Sequence, residues 1–295
     1  MEKTSPRARH LLSRMVLSLL ALVILLPVVM TAIYSFFSPA EIKAFMGTRG
    51  SYDASAFMQI KLAPSMFSLS QYYNILIEDM TILRYFVNSA MYAAAILLGQ
   101  ALLIPMMAYA LSRFRFPGRD AIFFLVIMLM LLPFQVTMVP NVLTLRTLGL
   151  LDTAWAVILP MTVAPFYVFL LRQYMVSLPG DMLEAAQIDG ATKGQQIRYI
   201  TLPMLTGMIC ILLLLGLGGI MHSNTGLHYQ VTKNVGLLYS TTQTIDAFIL
   251  NALTSGTSNF GMNAAVTFFQ SVVGCVMVVA TNLIVRRWDP DKALF

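Results

Sequence analysis

The sequence predicts an all-α membrane protein with six transmembrane helices, and composition, apolar run length and charge placement each support this prediction. Of the 295 residues, 58% are hydrophobic and only 11% are charged, and the mean hydropathy of +0.75 excludes an ordinary soluble domain. Several apolar runs reach the roughly 20 residues that a helix needs to cross a hydrocarbon core about 30 Å thick. The net charge of +6 is then explained by basic residues in the loops on one side of the membrane.

The first predicted span, residues 15–36, follows a basic N-terminal segment, residues 1–14. That segment carries four Lys and Arg residues, which are expected to remain in the cytoplasm. A cleaved signal peptide is the alternative interpretation. However, the apolar run of about 20 residues is longer than the apolar part of a usual signal peptide, and residues 34–37 (YSFF) offer no small-x-small cleavage site. We therefore expect a retained first helix.

Five further apolar runs complete the transmembrane domain, which is predicted to occupy residues 15–295. A polar and aromatic segment, residues 37–84, precedes them and is interrupted by Gly and Pro, which predicts a folded outer loop. The third span of the domain is expected to kink or break near Pro133. The fourth contains Pro160 and Pro165, which a membrane helix tolerates where neighbouring groups satisfy the freed carbonyls. The five runs are residues 85–111, 121–140, 154–171, 204–221 and 264–285.

The distribution of positive charge places both termini in the cytoplasm. With six spans, 13 of the 19 Lys and Arg residues fall in the two termini and in the loops that share their side. The outer side then receives a short connection at residues 141–153 and a longer polar segment at residues 222–263. Within the longer segment, residues 237–253 are half apolar and predict a short amphipathic helix at the outer surface or partway into the membrane.

A polar stretch that reads LPGDMLEAAQIDGATKGQQIRYITLP, the 178–203 loop, lies between the fourth and fifth spans on the predicted cytoplasmic side. It predicts two short helices with a sharp turn between them. Asp181 is expected to cap the first helix, with Glu184 three positions later in the capping-box relation. Gly190 is expected to end that helix in the left-handed conformation.

The second helix of this loop has its own start signal. Thr192 and Gln195 repeat the capping relation, and Ile197 and Ile200 lie three positions apart, on one face of the predicted helix. Pro203 is expected to open the fifth span, at a position where its missing amide hydrogen is harmless.

The spacing of residues in the 178–203 loop resembles the EAA loop of the membrane permeases of ABC importers. The run Glu184-Ala185-Ala186 is followed by three residues and Gly190, then by nine residues and Ile200, then by one residue and Leu202-Pro203. Because five separate positions agree, the loop is distinguished from an ordinary linker that happens to contain Glu-Ala-Ala.

Two further segments extend the likeness, residues 115–119 (RFPGR) and residues 165–173 (PFYVFLLRQ). Together with the loop they resemble the shorter of the two paired permeases in maltose-type carbohydrate importers, over residues 10–210 and again over the last span. The resemblance implies the ABC type I importer permease fold. It also implies a permease subunit in a bacterial cytoplasmic membrane that moves a sugar, expected to be an oligosaccharide or polysaccharide, by alternating access.

The resemblance implies several partners. They are a homologous second permease subunit, two cytoplasmic ATPase subunits, an extracytoplasmic sugar-binding protein and membrane lipid, with no nucleic acid. ATP and Mg are expected in the partner ATPase and no cofactor in this chain, because the chain has no phosphate-binding loop. The nearest run, residues 190–194, lacks the required spacing. A non-catalytic role is therefore expected. The residues expected to couple to the ATPase are Asp181, Glu184, Ala185, Ala186, Asp189, Gly190, Ile200, Leu202 and Pro203.

One region departs from the usual pattern of these permeases. Residues 222–263 contain no Trp, whereas the maltose-type permeases usually show a Trp- and Asn-rich stretch after the fifth span. Residues 244–247 (TIDA) and residues 259–274 look more like permeases for larger saccharides, such as uronate oligosaccharides. Polar residues within the spans are candidates for the sugar path, with hydrogen bonding between helices as the alternative. These candidates are Asn88, Gln100, Gln135 and Gln270.

Two other classes of function remain alternatives. A secondary transporter driven by an ion gradient would favour inverted repeats and an acidic residue at mid-span, but none of the 13 Asp and Glu residues lies at the centre of a predicted span. A membrane enzyme would need a nucleophile, a paired-carboxylate or a metal site, and the sequence shows no such grouping and no metal-binding spacing of its three histidines.

Overall fold

A computed structural model describes residues 6–46, 61–78, 80–218, 243–254, 260–288 and 290. Every regular element in these ranges is helical, which confirms the predicted all-α class. Two π-helical turns, Asn74–Glu78 and Ile197–Thr201, continue α3 and α10. The helices are α1 (Pro6–Tyr34), α2 (Pro39–Met46), α3 (Ser70–Tyr73), α4 (Met80–Arg113), α5 (Arg119–Leu131), α6 (Phe134–Thr147), α7 (Trp155–Thr162), α8 (Pro165–Ser177), α9 (Asp181–Ile188), α10 (Lys193–Gln196), α11 (Leu202–Gly218), α12 (Ile245–Thr254) and α13 (Phe260–Trp288).

Five helical stretches in the described part of the chain are long and apolar enough to cross a membrane. A sixth candidate consists of Arg119–Leu131 and Gln135–Thr147, which are bent by 115° relative to each other. Each of the six overlaps one of the predicted spans. The five stretches are Arg14–Tyr34, Met80–Arg113, Trp155–Ser177, Lys193–Leu217 and Phe260–Arg287.

The third predicted span differs most from the expectation. Residues 141–153 were expected to form an outer connection, but α6 continues through Thr147. The backbone of Leu132 is extended (φ −73°, ψ 130°) because the ring of the following Pro133 disfavours the helical conformation at the residue before it. Pro133 then caps a new helix, so the kink expected there is a sharp bend between two helices.

The fourth predicted span is likewise two helices. Val163 and Ala164 are extended, and Pro165 occupies the first position of α8, where its missing amide hydrogen costs nothing. α8 continues to Ser177, beyond the predicted end at residue 171. The extra length matters because it brings the end of α8 directly to the 178–203 loop.

The predicted amphipathic helix, residues 237–253, lies partly outside the described residues. Within them, α12 spans Ile245–Thr254, and its first turn is held by a hydrogen bond from the Ile245 amide to the Ser89 hydroxyl. Most of the unusual 222–263 segment also lies outside the described residues.

The described residues divide into two compact units, the first within residues 1–83 and 249–271 and the second within residues 84–248 and 272–295. In the first unit, the Phe36 ring stacks on Phe67 with centroids 4.3 Å apart. Glu41 accepts a hydrogen bond from the Ser65 amide at 2.7 Å and pairs with Lys61.

In the second unit, an apolar core joins α4, α5, α8 and α11. This core lies beneath the two ends of the 178–203 loop, because α8 leads into the loop and α11 leads out of it. Its buried members are Ile104, Ala108, Leu111, Val126, Val168, Leu171, Met175, Leu205 and Leu212.

Candidate functional site

The 178–203 loop begins where α8 is stopped by a proline. Leu178 is extended (φ −71°, ψ 134°) because Pro179 follows it, and the chain reaches α9 through Gly180 alone. Because this connection is so short, the start of α9 must stay close to the end of α8.

The first loop helix, α9, starts differently from the expectation. Asp181 was expected to be the N-cap with Glu184 completing a capping box, but Gly180 is the N-cap and no side chain caps the helix. The reason is that Gly180 already adopts helical angles, which moves Asp181 inside the first turn. Asp181 and Glu184 still lie near the positive end of the helix dipole, where a carboxylate is favourable.

The turn after α9 confirms the prediction for Gly190, whose φ is +80°. Two backbone hydrogen bonds close around it. The Ala191 amide donates to the Ala186 carbonyl at 2.9 Å, and the Gly190 amide donates to the Gln187 carbonyl at 3.1 Å. This pair is the Schellman motif, which satisfies carbonyls that the end of a helix leaves without partners.

The start of α10 confirms the predicted capping box. The Gln195 amide donates to the Thr192 hydroxyl oxygen at 3.4 Å, and the Thr192 amide donates to the Gln195 side-chain oxygen at 2.8 Å. The Gln196 side chain also donates to the Ala191 carbonyl at 3.0 Å. The turn and the second helix are therefore locked together by side-chain and backbone hydrogen bonds.

The expected opening of the fifth span at Pro203 is wrong. The helix begins at Lys193 and continues through the π-helical turn Ile197–Thr201 into α11, so Pro203 lies inside a continuous helical stretch. In a regular α-helix the proline ring would crowd the carbonyl four residues earlier. The π-helical turn, which is wider than an α-helical turn, lies immediately before Pro203. It also places the half-buried Ile200 in the π-helical turn rather than on a regular α-helical face.

The loop exposes large apolar side chains, which are unfavourable on a helix that faces water. Ile188 is 86% exposed, Tyr199 is 69% exposed and Met182 is 50% exposed. No residue of α9 is buried. A rigid, hydrogen-bonded element that presents such side chains is typical of a protein–protein contact surface.

Contacts near the end of α4 hold α8, which leads into the loop, and the start of α10 within it, and the sequence did not indicate them. Arg113 Nη2 donates to the Met175 carbonyl in α8 at 3.0 Å. The Lys193 ammonium lies 5.5 Å from the centroid of the Phe114 ring. Arg113 is one of the basic residues expected on the cytoplasmic side, and no local pattern marks Met175 or Lys193 as a partner.

The polar residues of the predicted sugar path occupy different environments. The Asn88 side chain donates to the Gln243 carbonyl at 3.2 Å, and that of Gln100 donates to the Met161 carbonyl at 2.8 Å. Gln270 is 1% exposed and Gln135 is exposed. The Gln100 bond joins α4 and α7, as the alternative interpretation of bonding between helices predicts, whereas Asn88 bonds to a residue that precedes α12.

Comparison with known proteins gives both a family and a fold. The profile described as "Binding-protein-dependent transport system inner membrane component" matches residues 101–290. The chain is 36% identical over 142 residues to the arabinooligosaccharides transport system permease protein AraQ of Halalkalibacterium halodurans, covering 48% of this chain and 51% of that protein. It is 35% identical over 121 residues to the sn-glycerol-3-phosphate transport system permease protein UgpE of Agrobacterium fabrum, covering 41% of this chain and 43% of that protein. The chain thus matches about half the length of these curated relatives.

A solved structure extends the likeness over nearly the whole chain. A chain in the crystal structure of a bacterial alginate ABC transporter, in complex with an alginate pentasaccharide-bound periplasmic protein, has a TM-score of 0.70. The match covers 95% of each chain at 19% identity, so it demonstrates a common fold. The family profile includes the 178–203 loop and most of the described helices. This chain therefore belongs to the family of binding-protein-dependent transport system inner membrane components.

Proposed function

We propose that the chain is one permease subunit of an ATP-driven importer that carries an oligosaccharide across the bacterial cytoplasmic membrane. The observation that carries the proposal is the 178–203 loop, a hydrogen-bonded two-helix knob with Ile188, Tyr199 and Met182 exposed. A partner shifts a conformational equilibrium only through contacts that differ between the two states. A rigid knob with exposed apolar side chains can make such contacts and transmit the movement of the partner.

The partner that grips the knob is proposed to be a cytoplasmic ATPase, present in two copies. ATP and Mg bind there, and the permease chain contributes no catalytic group. When the ATPase pair closes, the knob moves as a lever and the membrane helices alternate between outward-open and inward-open states. The proposed contact residues are Asp181, Glu184, Ala185, Ala186, Asp189, Gly190, Ile200, Leu202 and Pro203, to which the exposed Met182, Ile188 and Tyr199 are added.

The remaining partners follow from the same proposal. A second, homologous permease completes the translocation path, and an extracytoplasmic binding protein delivers the sugar. The family name specifies dependence on a binding protein, and one solved relative is described with a periplasmic protein that holds an alginate pentasaccharide. Among the four polar candidates for the path, we favour Gln135, because its side chain is exposed while Asn88 and Gln100 donate to backbone carbonyls.

The substrate class is proposed from chemistry that the relatives share. Their names specify arabinooligosaccharides, alginate and sn-glycerol 3-phosphate, all of which are rich in hydroxyl groups. Two of the three are saccharide chains. We therefore propose an oligosaccharide, with sn-glycerol 3-phosphate as the competing ligand in the test.

Reconstitution tests the transport proposal. The tagged chain, isolated from its host with its associated subunits, would be placed in proteoliposomes and supplied with the co-purified binding protein. Arabino-oligosaccharide, alginate oligosaccharide and sn-glycerol 3-phosphate are the three probes. We expect uptake of one saccharide with ATP and none with a non-hydrolysable ATP analogue. Uptake driven by an ion gradient without ATP, or a complex with no ATPase subunit, contradicts the transport mechanism. ATP-driven uptake of sn-glycerol 3-phosphate alone contradicts the substrate class.

A substitution tests the knob itself. Ile188→Asp replaces an exposed apolar anchor with a charge, while Ile188→Met keeps a similar apolar volume. Burial of such a side chain stabilises a contact by about 1.5–3 kcal/mol. Ile188→Asp is therefore expected to weaken ATPase association about tenfold or more, with membrane insertion unchanged, whereas Ile188→Met should bind as wild type. Equal ATPase recovery with both variants contradicts a docking role for Ile188.

A further inference from the structure

The end of α4 and the residue that follows it contact the end of α8, which leads into the 178–203 loop, and the start of α10 within the loop. Arg113 and Ser112 contact Met175 near the end of α8, where the chain enters the loop. Arg113 Nη2 donates to the Met175 carbonyl at 3.0 Å, and Ser112 Oγ lies 3.4 Å from the Met175 sulfur. Phe114 lies beside Lys193, the first residue of α10, with 5.5 Å between the ammonium and the ring centroid.

The Met175 carbonyl is available because it lies in the last turn of α8. The final carbonyls of a helix have no partner within the helix. The Ser177 hydroxyl donates a hydrogen bond to the Tyr174 carbonyl at 2.7 Å, and Arg113 donates to the next carbonyl, that of Met175. A hydrogen bond from a guanidinium is charge-assisted and directional, so it fixes where the helix ends and where the loop begins.

The α8 side of this attachment is buried, and its α10 side is exposed. Met175 is 1% exposed and belongs to the apolar core that joins α4, α5, α8 and α11. The Phe114 ring meets the Tyr109 ring edge to face at 5.5 Å, which orients it toward Lys193. The contact to Met175 therefore involves a part of the molecule with little freedom to move, and the exposed Phe114 ring is held by a second ring contact.

We propose that Arg113, the last residue of α4, and Phe114, which follows it, are positioning residues that clamp the end of α8 and the start of α10 to the end of α4. This clamp rests on the proposed coupling function and adds the route by which a push on the loop reaches a membrane helix. Without it, the loop would be held by its two chain connections and by Leu178, which packs against the apolar core. The helices that flank the loop, α8 and α11, would still be joined by the hydrogen bond from the Tyr174 hydroxyl to the Met204 carbonyl at 3.4 Å.

The first experiment measures loop position directly. Spin labels would be placed at Gln187→Cys in α9, outside the proposed ATPase contact residues, and at Ala121→Cys in α5, both exposed, after Cys210→Ser and Cys275→Ser remove the native thiols. The complex would be studied in nanodiscs without nucleotide, so this measurement does not depend on transport. The Arg113→Met variant should broaden the distance distribution about twofold, because a segment released from a fixing contact samples more arrangements.

Matched controls separate the clamp from charge and topology. Arg115→Met removes the same charge from the same turn, and Arg115 makes no hydrogen bond or ion pair with the part of the chain that the structure describes. It should leave the distribution as narrow as wild type. Arg113→Lys retains a cationic donor and should restore most of the narrowing. Equal widths for Arg113→Met and wild type, or equal broadening by Arg115→Met, would overturn the role of Arg113.

A second pair tests the contact at α10 without leaving a buried carbonyl unpaired. Phe114→Leu removes the ring beside Lys193, and Phe116→Leu removes a neighbouring exposed ring. Broadening is expected only from Phe114→Leu. This pair also decides the proposal if Arg113→Met fails to assemble, because a Phe114→Leu distribution as narrow as that of Phe116→Leu would overturn the clamp.

Coupling measurements connect the clamp to function. In the reconstituted complex, Arg113→Met should lower the stimulation of ATP hydrolysis by the loaded binding protein about fivefold or more, and Arg113→Lys should restore it. Absence of ATP-driven sugar uptake by the wild-type complex would remove the proposed function and leave the distance test of the clamp intact. Normal stimulation in Arg113→Met, in a wild-type complex that transports, would overturn the clamp alone.

Discussion

The backbone amide of Ala191 donates a 2.9 Å hydrogen bond to the carbonyl of Ala186, and this bond closes the turn in which Gly190 has a φ of +80°. An added Cβ at Gly190 would meet no atom within 4 Å, so the surroundings leave room for a side chain. The requirement for glycine is therefore conformational. The backbone at position 190 is in the left-handed conformation, which is less stable by about 1–2 kcal/mol for a residue that has a Cβ.

Gly190→Val is expected to abolish the stimulation of ATP hydrolysis in the reconstituted complex without preventing membrane insertion. A β-branched residue is strongly disfavoured at positive φ, so the turn and the direction of α10 should change. Gly190→Asn should retain much of the stimulation, because asparagine tolerates this conformation. Gly194→Ala is the control, since a Cβ there also meets no atom within 4 Å and the backbone is helical. Normal stimulation in Gly190→Val would contradict a rigid coupling loop.

Loss of the capping box should loosen α10 locally. Thr192→Ala removes the oxygen that accepts from the Gln195 amide, and such a change costs about 1 kcal/mol. Amide hydrogen exchange of residues 193–196 is expected to accelerate about fivefold, as that free-energy difference implies. Thr192→Ser retains the acceptor and should protect these amides nearly as well as wild type. Equal exchange in the alanine and serine variants would show that the capping box contributes little.

The success of sequence reasoning in the 178–203 loop follows from the range of the interactions. Gly190 and the Thr192–Gln195 box were predictable because each depends on residues within a few positions. Asp181 was misplaced because the helical angles of Gly180 begin the helix one residue early. The bond from Arg113 to Met175 joins residues 62 positions apart, and no periodicity encodes such a contact.

The membrane helices show the same division. Apolar run length indicated all six spans, but the ends of the helices depended on prolines whose effect is local and steric. Pro133 and Pro165 each force an extended residue before them, so one predicted span became a bent pair and another became two helices. The π-helical turn before Pro203 was not indicated, because the sequence alone does not reveal how a helix absorbs a proline.

Close packing of α4 against α7 depends on Gly99. A Cβ at this position would lie 2.4 Å from Cγ2 of Thr162, nearer than side-chain atoms approach. Gly99→Ala should therefore destabilise the protein by about 1–3 kcal/mol, as overpacking of a core does, and lower the thermal midpoint in detergent. Gly274→Ala is the matched control in another long helix, because a Cβ there meets no atom within 4 Å.

A compensating change tests whether the clash is the cause. Thr162→Ser removes Cγ2 and keeps the hydroxyl that donates to the Leu159 carbonyl at 2.7 Å. The Gly99→Ala, Thr162→Ser double variant should recover part of the lost stability, since only the 3.1 Å approach to Cβ remains. If the double variant is as unstable as the sum of its single changes, the contact between these two positions is not the source of the loss.

The ion pair in the first unit predicts a pH dependence outside the membrane spans. The hydrogen bond from the Lys61 ammonium, followed by that from the Ser65 amide, holds the pKa of Glu41 below its ordinary value of 4.5. Because the folded-state pKa is depressed, the stabilising contribution is present above the ordinary pKa and is lost as the pH falls through the folded-state pKa. Thermal unfolding in detergent, followed from about pH 6 to about pH 3, should show this loss in the wild type, and the loss should be smaller in Glu41→Gln. Lys61→Met should raise the folded-state pKa of Glu41 toward its ordinary value, so that the loss becomes smaller and is complete at higher pH. Lys43→Met, which removes an exposed lysine nearby, should leave the loss unchanged. An identical pH profile for the two lysine variants would mean that Lys61 does not set the pKa of Glu41.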